Sequence, residues 1–241
     1  MDEHTKLNSI RFVSLGPGDP ELITVKGLKA LQEADCIFCP ETVTRQGEGL
    51  SRAADIMLEL GIDSRHFYRF SLPMDKRREK ALEAYDKVCV EAANLWKKGL
   101  KVCLVAEGDA GLYSSVHYVY EKLDSEGIPV EHIAGIPAFI AAGACGGLHI
   151  VSQEERLMVV PGVVTADEIG NFVGNGHAVV IMKLSRCKEE IKRCLQLHPE
   201  YDYHYFENVG LPNEVCLQET EQIETAAFPY FSLLIVRPKA S

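Results

Sequence analysis

The stretch FVSLGPGDPELITVKGLKAL, residues 12–31, decides the fold. Its apolar start breaks into a loop holding Gly16, Pro17, Gly18 and Pro20, and a helix-like pattern follows over residues 20–33. Strand, glycine loop and helix, in that order, is how many α/β folds offer their backbone to a nucleotide. A dinucleotide loop needs G-x-G-x-x-G and a helix N-terminus bare to receive pyrophosphate. Here Glu21 stands at the third glycine position, while Asp19 and Pro20 have the character of a helix N-cap and first helical residue. Two carboxylates where an anion should sit would repel it. The loop is therefore read as no phosphate cradle.

Outward from this stretch the first half of the chain alternates. IRFVSLG reads as strand, 20–33 as helix, DCIFCP as strand, 49–60 as helix and RHFYRFSL as a third strand. A long helix over 76–98 carries Leu82, Tyr85, Cys89, Ala92 and Trp96 on one stripe and stops at Gly99. KVCLVAEG is a continuous apolar strand of the kind buried on both faces. A helix over 112–124 and the strand PVEHIAG follow. Such alternation predicts a mostly parallel, doubly wound sheet. Beyond a short Ala/Gly-rich helix (137–147) the texture changes: ERLMVVPG, HAVVIMKL, a helix over 188–197, YDYHYFENVG, EVCLQE and YFSLLIVRP, with short turns, predict a mixed sheet. Two α/β domains are expected, 1–136 and 137–241.

A length of 241 residues supports two modest cores, and 46% apolar with 25% charged residues is ordinary for a water-soluble chain. No apolar run reaches membrane-spanning length and the N-terminus is unlike a signal peptide, so the expected location is the cytoplasm, away from membranes. The net charge of −10 argues against a nucleic-acid partner, which calls for a basic face, though not against a small anionic substrate. Eight cysteines in such a chain read as reduced and mostly buried. Cys36 and Cys39 form C-x-x-C, but on a strand they point to opposite faces, and no second pair at zinc-like spacing joins them. No metal site is expected.

A second acidic glycine loop, VAEGDAGLYSS (residues 105–115), follows the buried strand. In an open α/β sheet ligands sit outside the carboxyl ends of the strands, and both loops lie on that edge. S-adenosylmethionine (SAM), with a sulfonium, an ammonium and ribose hydroxyls but no phosphate, tolerates such loops. Gly108 and Gly111 would let it approach the backbone. The plainer alternative is two ordinary strand-to-helix turns with Asp19 and Asp109 as caps.

The series GPGDPELIT, EGDAGLYSS, AGIPAFIAAGA, ERLMVVPG, VVIMKLSR, ENVGLPNE and PYFSLLIVRP, in order along nearly the whole chain, resembles the tetrapyrrole methylase family. SLPMD, GLYSSVHYVYEKL and the strands VVIMKLSR and PYFSLLIVR point to the branch that methylates carbon 20 of precorrin-2 or its cobalt complex. The resemblance implies two α/β domains with SAM in a cleft between them, usually in a homodimer. It implies that Pro17 lines that cleft, that Glu107, Gly108 and Asp109 with Leu112, Tyr113 and Ser114 wrap the methionine end, and that Ala138 and Phe139 follow. It also implies that Met182, Val209 and Gly210 hold the nucleoside. Core filling is the plainer reading of Met182, and helix packing of Phe139. Two departures stand out: the usual G-D-P is Gly108-Asp109-Ala110, losing a fixed φ, and the hydroxyls usual at 137 and 138 are absent.

Methyl transfer from sulfonium to carbon asks the protein mainly for position and exclusion of water. No catalytic residue is assigned; Asp109, Tyr113 and His117 are candidates by nearness to the second loop, the last two sharing a face if the segment is helical. A polycarboxylate tetrapyrrole needs local positive charge, and Arg65, Arg69, Lys76, Arg77 and Arg78 cluster in sequence, with Arg69, Arg77 and His117 the residues expected to touch substrate. Solvated charges are the plainer reading of this cluster. Alternatives are another family activity (on uroporphyrinogen, diphthine or ribosomal RNA), a non-catalytic tetrapyrrole carrier, and a nicotinamide-dependent oxidoreductase with Glu41 as its ribose acid.

Overall fold

The computed structural model describes residues 8–43, 49–72 and 78–239, and the chain divides into two compact units, Met1–Pro137 and Ala138–Ser241. The division follows Pro137, one residue past the expected break.

The first unit runs β1 (Ile10–Ser14), α1 (Val25–Gln32), β2 (Cys36–Val43), β3 (Gly49–Leu50), α2 (Arg52–Glu59), β4 (Phe67–Ser71), α3 (Arg78–Lys97), β5 (Val102–Ala106), α4 (His117–Ser125) and β6 (Val130–Ile133). In its sheet β2, β5, β1 and β6 lie side by side, with β4 parallel to β2. Among the described residues only β3, antiparallel to the end of β2, departs from the parallel pattern. Because successive side chains point to opposite faces, each strand feeds two cores. Phe12, Cys36, Phe38 and Leu104 pack with Tyr85, Cys89, Val119 and Leu123 of α3 and α4. Val13, Ile37, Cys39 and Val105 pack with Leu31, Ala53 and Met57 of α1 and α2. The C-x-x-C therefore splits between two cores, and burial, the largest influence, pushes the Cys39 thiol up to about 11.

Three helix boundaries differ from expectation. The single helix over 20–33 is a 3-10 turn, Pro20–Leu22, followed by α1, because Ile23 and Thr24 are extended. Asp19 does accept a hydrogen bond from Glu21 N, but it caps only the 3-10 turn; Thr24 caps the α-helix, its hydroxyl accepting from Gly27 N. The helix expected over 49–60 begins at Arg52, since Gly49 and Leu50 pair with Val43 and Thr42 and Ser51 is the cap. The helix expected over 112–124 begins only at His117.

The second unit runs α5 (Ala138–Cys145), β7 (Arg156–Val160), α6 (Ala166–Gly174), β8 (His177–Met182), α7 (Lys188–Leu197), β9 (Tyr201–Glu207), β10 (Val215–Leu217), α8 (Thr220–Thr225) and β11 (Ser232–Pro238). Its sheet is ordered β10-β9-β11-β8-β7, with only β7–β8 parallel, and is therefore mixed. Helices α6 and α8 were not anticipated. A reciprocal capping box between Thr165 and Glu168 starts α6, which buries Ala166, Ile169 and Val173.

Candidate cofactor site

At the carboxyl edge of the first sheet, β1 and β5 are parallel neighbours with Ser14 opposite Ala106. The two glycine loops that leave them are bonded to each other: Gly16 N donates to Gly108 O (3.1 Å) and Gly108 N to Gly16 O (2.6 Å). Both glycines are left-handed, with φ of +82° and +70°, a conformation that costs a residue bearing a Cβ. Pro17, next in the first loop, is half-buried.

Asp109 joins this pair of loops to a third, after β6. Its Oδ1 accepts from Gly111 N (2.8 Å) and its Oδ2 from Gly135 N (2.7 Å), while His132 Nε2 stands 3.6 Å from Oδ1. The fully buried Ser14 hydroxyl accepts from Ala110 N (2.9 Å) and lies 3.5 Å from Asp109 Oδ2. Gly135 sits so close that a Cβ there would fall 2.4 Å from Ser14 Cβ and 2.8 Å from Gly108 O. Asp109 is thus bound up in backbone geometry. Its place in the sequence signalled a loop acid, but the partners lie 26 and 95 residues away.

Glu107, half-buried beside it, has its carboxyl pushed up by burial, with the Arg52 charge opposing and Asp55 reinforcing. Leu112 and Ser114 are half-buried; Tyr113 between them is exposed and left-handed, with φ of +52°. Tyr85 of α3 is hydrogen-bonded to Ser115 at the end of the loop. A hollow of about 450 Å³ beside this segment is lined by residues including Phe12, Tyr113, Ser114, His117, Tyr120 and His132.

Tyr113 and His117 do not share a helix face as expected, since α4 starts at His117 and Tyr113 precedes it in a turn. His117 instead faces Glu121 one turn on, at 3.3 Å. Arg69 is exposed on β4 opposite Cys39, and Arg77 lies outside the described residues. Glu41 accepts from the Ser71 hydroxyl of the neighbouring strand at 3.1 Å.

In the second unit, Met182 ends β8 and the turn at Val209 and Gly210 follows β9, both strands flanking β11. Lys183 N donates to Ser232 O and Asn208 N to Phe231 O, so both turns are tied to the start of β11. Lys183 and Asn208 are left-handed without being glycine. Gly162, after β7, lies where a Cβ would meet Met182 O at 2.5 Å. Gly210 N donates to Glu214 Oε2 (2.7 Å), and Cys145 Sγ donates to Glu214 Oε1 (2.6 Å). Val209 and Phe139 are buried, Ala138 and Met182 half-buried. Sequence reasoning passed over Lys183 and Glu214, whose roles come from backbone conformation and long-range pairing.

The donor set suits a ligand without phosphate. The 3-10 turn that follows the glycines is capped by the Asp19 carboxylate, which accepts from Glu21 N, and α1 begins only after Thr24, so an acid stands where a phosphate would need a bare helix end. Asp19, Glu107 and Asp109 make the edge acidic, which suits a ligand with sulfonium and ammonium charges.

Residues 9–223 match the family described as Tetrapyrrole (Corrin/Porphyrin) Methylases. The chain is 30% identical to a precorrin-2 C(20)-methyltransferase from Sinorhizobium sp, over 93% of each chain. It is 26% identical to a probable cobalt-precorrin-2 C(20)-methyltransferase from Methanocaldococcus jannaschii, over 93% of this chain and 94% of the relative. Among solved structures, a cobalt precorrin-4 methyltransferase superposes with a TM-score of 0.72 at 16% identity, over 95% of this chain and 94% of that one. A uroporphyrin-III C-methyltransferase from Thermus thermophilus, complexed with S-adenosyl homocysteine, gives 0.63 at 19% identity, over 95% and 97%. The chain belongs to the tetrapyrrole (corrin/porphyrin) methylase family, whose members take their methyl group from SAM.

Proposed function

We propose that this protein transfers a methyl group from SAM to carbon 20 of precorrin-2 or of its cobalt complex, a step in making the corrin ring. The observation that carries this reading is the 30% identity, across 93% of both chains, to a protein named for that reaction. When bound, SAM supplies an electrophilic methyl carbon for in-line attack by a nucleophilic ring carbon. The chain's own residues supply position and shielding. Asp109 and Gly135 hold three loops in one arrangement, and Gly16 and Gly108 present backbone at close range. Pro17 is proposed to line the cofactor site, Glu107, Gly108, Asp109, Leu112, Tyr113 and Ser114 to meet the methionine end, and Ala138 and Phe139 to follow them. Met182, Val209 and Gly210 are proposed to meet the nucleoside. Because Val209 is buried, its contact would be made by backbone.

Arg69 and Arg77, as guanidinium cations, and His117, as a hydrogen-bond partner, are proposed to meet substrate carboxylates. A homodimer in the cytoplasm is proposed from the family resemblance. The oxidoreductase reading is disfavoured because Glu21 stands at the third glycine position and the Asp19 carboxylate caps the turn after the first loop, where pyrophosphate would sit.

The test is anaerobic incubation with SAM and precorrin-2, with and without inserted cobalt. Mass spectrometry should show one added methyl, and NMR should place it at carbon 20. The preferred form identifies the route. A protein that binds SAM tightly yet methylates neither form defeats the assignment.

A further inference from the structure

The hydroxyl of Ser14 is buried at the end of β1, 0% exposed, and it is engaged by a backbone amide far away in sequence, Ala110 N, at 2.9 Å. Ala110 is itself buried and follows Asp109, whose two oxygens hold the amides of Gly111 and Gly135. The position after this aspartate is where the family resemblance leads one to expect proline, and a proline there has neither an N–H nor a free φ. We infer that Ser14 is a positioning residue that sets the second cofactor loop through the Ala110 N–H, replacing by a hydrogen bond the restraint that a proline ring would impose. This rests on the proposed cofactor role of residues 107–114.

Three observations support the inference. Ser14 Oγ is the partner of a buried amide that would otherwise be unsatisfied, so the bond is costly to lose. The same Oγ donates toward Asp109 Oδ2 at 3.5 Å, so one hydroxyl addresses both residues of the turn. Room around it is tight, since the Gly135 backbone lies directly against Ser14 Cβ. Proline at 110 would bring its Cδ into the space where the amide proton now meets Oγ, so serine at 14 and proline at 110 exclude one another. A glycine or alanine at 14 removes that conflict.

The test is a double-mutant cycle over Ser14→Gly, Ala110→Pro and the pair together, read by calorimetric binding of S-adenosyl homocysteine and by melting temperature. Each single substitution should weaken binding by about tenfold, Ser14→Gly by leaving the Ala110 amide unpaired and Ala110→Pro by setting the ring Cδ against Ser14 Oγ. The pair should bind within about threefold of the wild type, because proline then holds the loop. If serine were only core filler, Ser14→Gly would bind no better with proline at 110 than with alanine there. Losses that multiply in the pair, or a Ser14→Gly protein with unchanged affinity, overturn the proposal. Wild-type protein that binds no S-adenosyl homocysteine overturns the cofactor reading instead. The melting temperatures then decide the Ser14–Ala110 lock, with rescue in the pair sustaining it and additive losses refuting it.

Discussion

The two units build their strand-end edges by different means. In the first, β1, β5 and β6 are parallel to one another and release their loops on the same side, and one carboxylate, Asp109, ties the loop after β5 to the loop after β6. In the second, β11 runs against its neighbours, so the turns after β8 and β9 are tied to the start of a strand by main-chain bonds. Both edges take left-handed turns from glycine, Gly16 and Gly108 at the first and Gly162 and Gly210 at the second, and both also hold other residues in that conformation, Tyr113 at the first and Lys183 and Asn208 at the second. At the parallel edge the loops after β1 and β5 meet in a single main-chain bridge, and a side chain, Asp109, brings in the loop after β6. A mixed edge extends its own ladder.

What the edges share is one close backbone approach each, and the largest effects should come from filling it. Gly135→Ala and Gly162→Ala should each destabilise by about 3 kcal/mol in urea unfolding, because the added carbon meets backbone or Cβ atoms that cannot swing away. If Gly162→Ala were tolerated while Gly135→Ala were not, the second edge would be the more pliable, and the likeness would fail. Next, Asp109→Ala should cost about 2 kcal/mol by leaving the Gly111 and Gly135 amides unpaired. Asp109→Asn, which keeps one acceptor, should cost about half of that. A smaller loss, about 1 kcal/mol, is expected for Gly108→Ala, where φ is +70° but nothing lies within 4 Å of the new carbon. Set against Gly135→Ala, it separates the cost of conformation from the cost of crowding.

The smallest effect concerns the cap of α6. Bonds from the Thr165 amide and then from its hydroxyl hold the Glu168 carboxyl below its usual range. A depressed carboxyl stabilises the fold above its ordinary value and loses that contribution as the pH falls through its folded value. The melting-temperature gap between wild type and Glu168→Ala should therefore be full at pH 7 and narrow as the solution is acidified below about 4.5. A gap that widens in acid would mean that the cap does not act through charge.

Strand placement was largely legible because apolar runs and period-two alternation are local signals. Helix starts were less so. In the 20–33 segment Asp19 and Thr24 are both good caps, and only the extended backbone at Ile23 and Thr24 shows which begins the α-helix. Helix α6 did carry a readable signal, the T-x-x-E of Thr165 and Glu168, overlooked among the glycines at 170 and 174. Gly170 is there because the His198 ring packs against it, 2.5 Å from where a Cβ would be. The candidate cofactor loops were visible as loops. Their wiring was not: Ser14 reads as one more strand residue until Ala110 is brought to it from 96 positions away.

That same distance shapes how the molecule comes into being. Arg11 pairs with Cys103 and Phe12 with His132, so β1 has neither of its sheet neighbours until most of the first unit has been synthesised. A growing chain must keep its first strand waiting, unpaired and apolar, while about a hundred residues emerge behind it at roughly 5–20 per second. Closing loops of that length before any pairing is rewarded makes the sheet slow to form and exposes β1 to misassociation. The clasp at Asp109 can close only when Gly135 arrives. The cofactor edge is therefore among the last parts of its unit to be assembled at the ribosome.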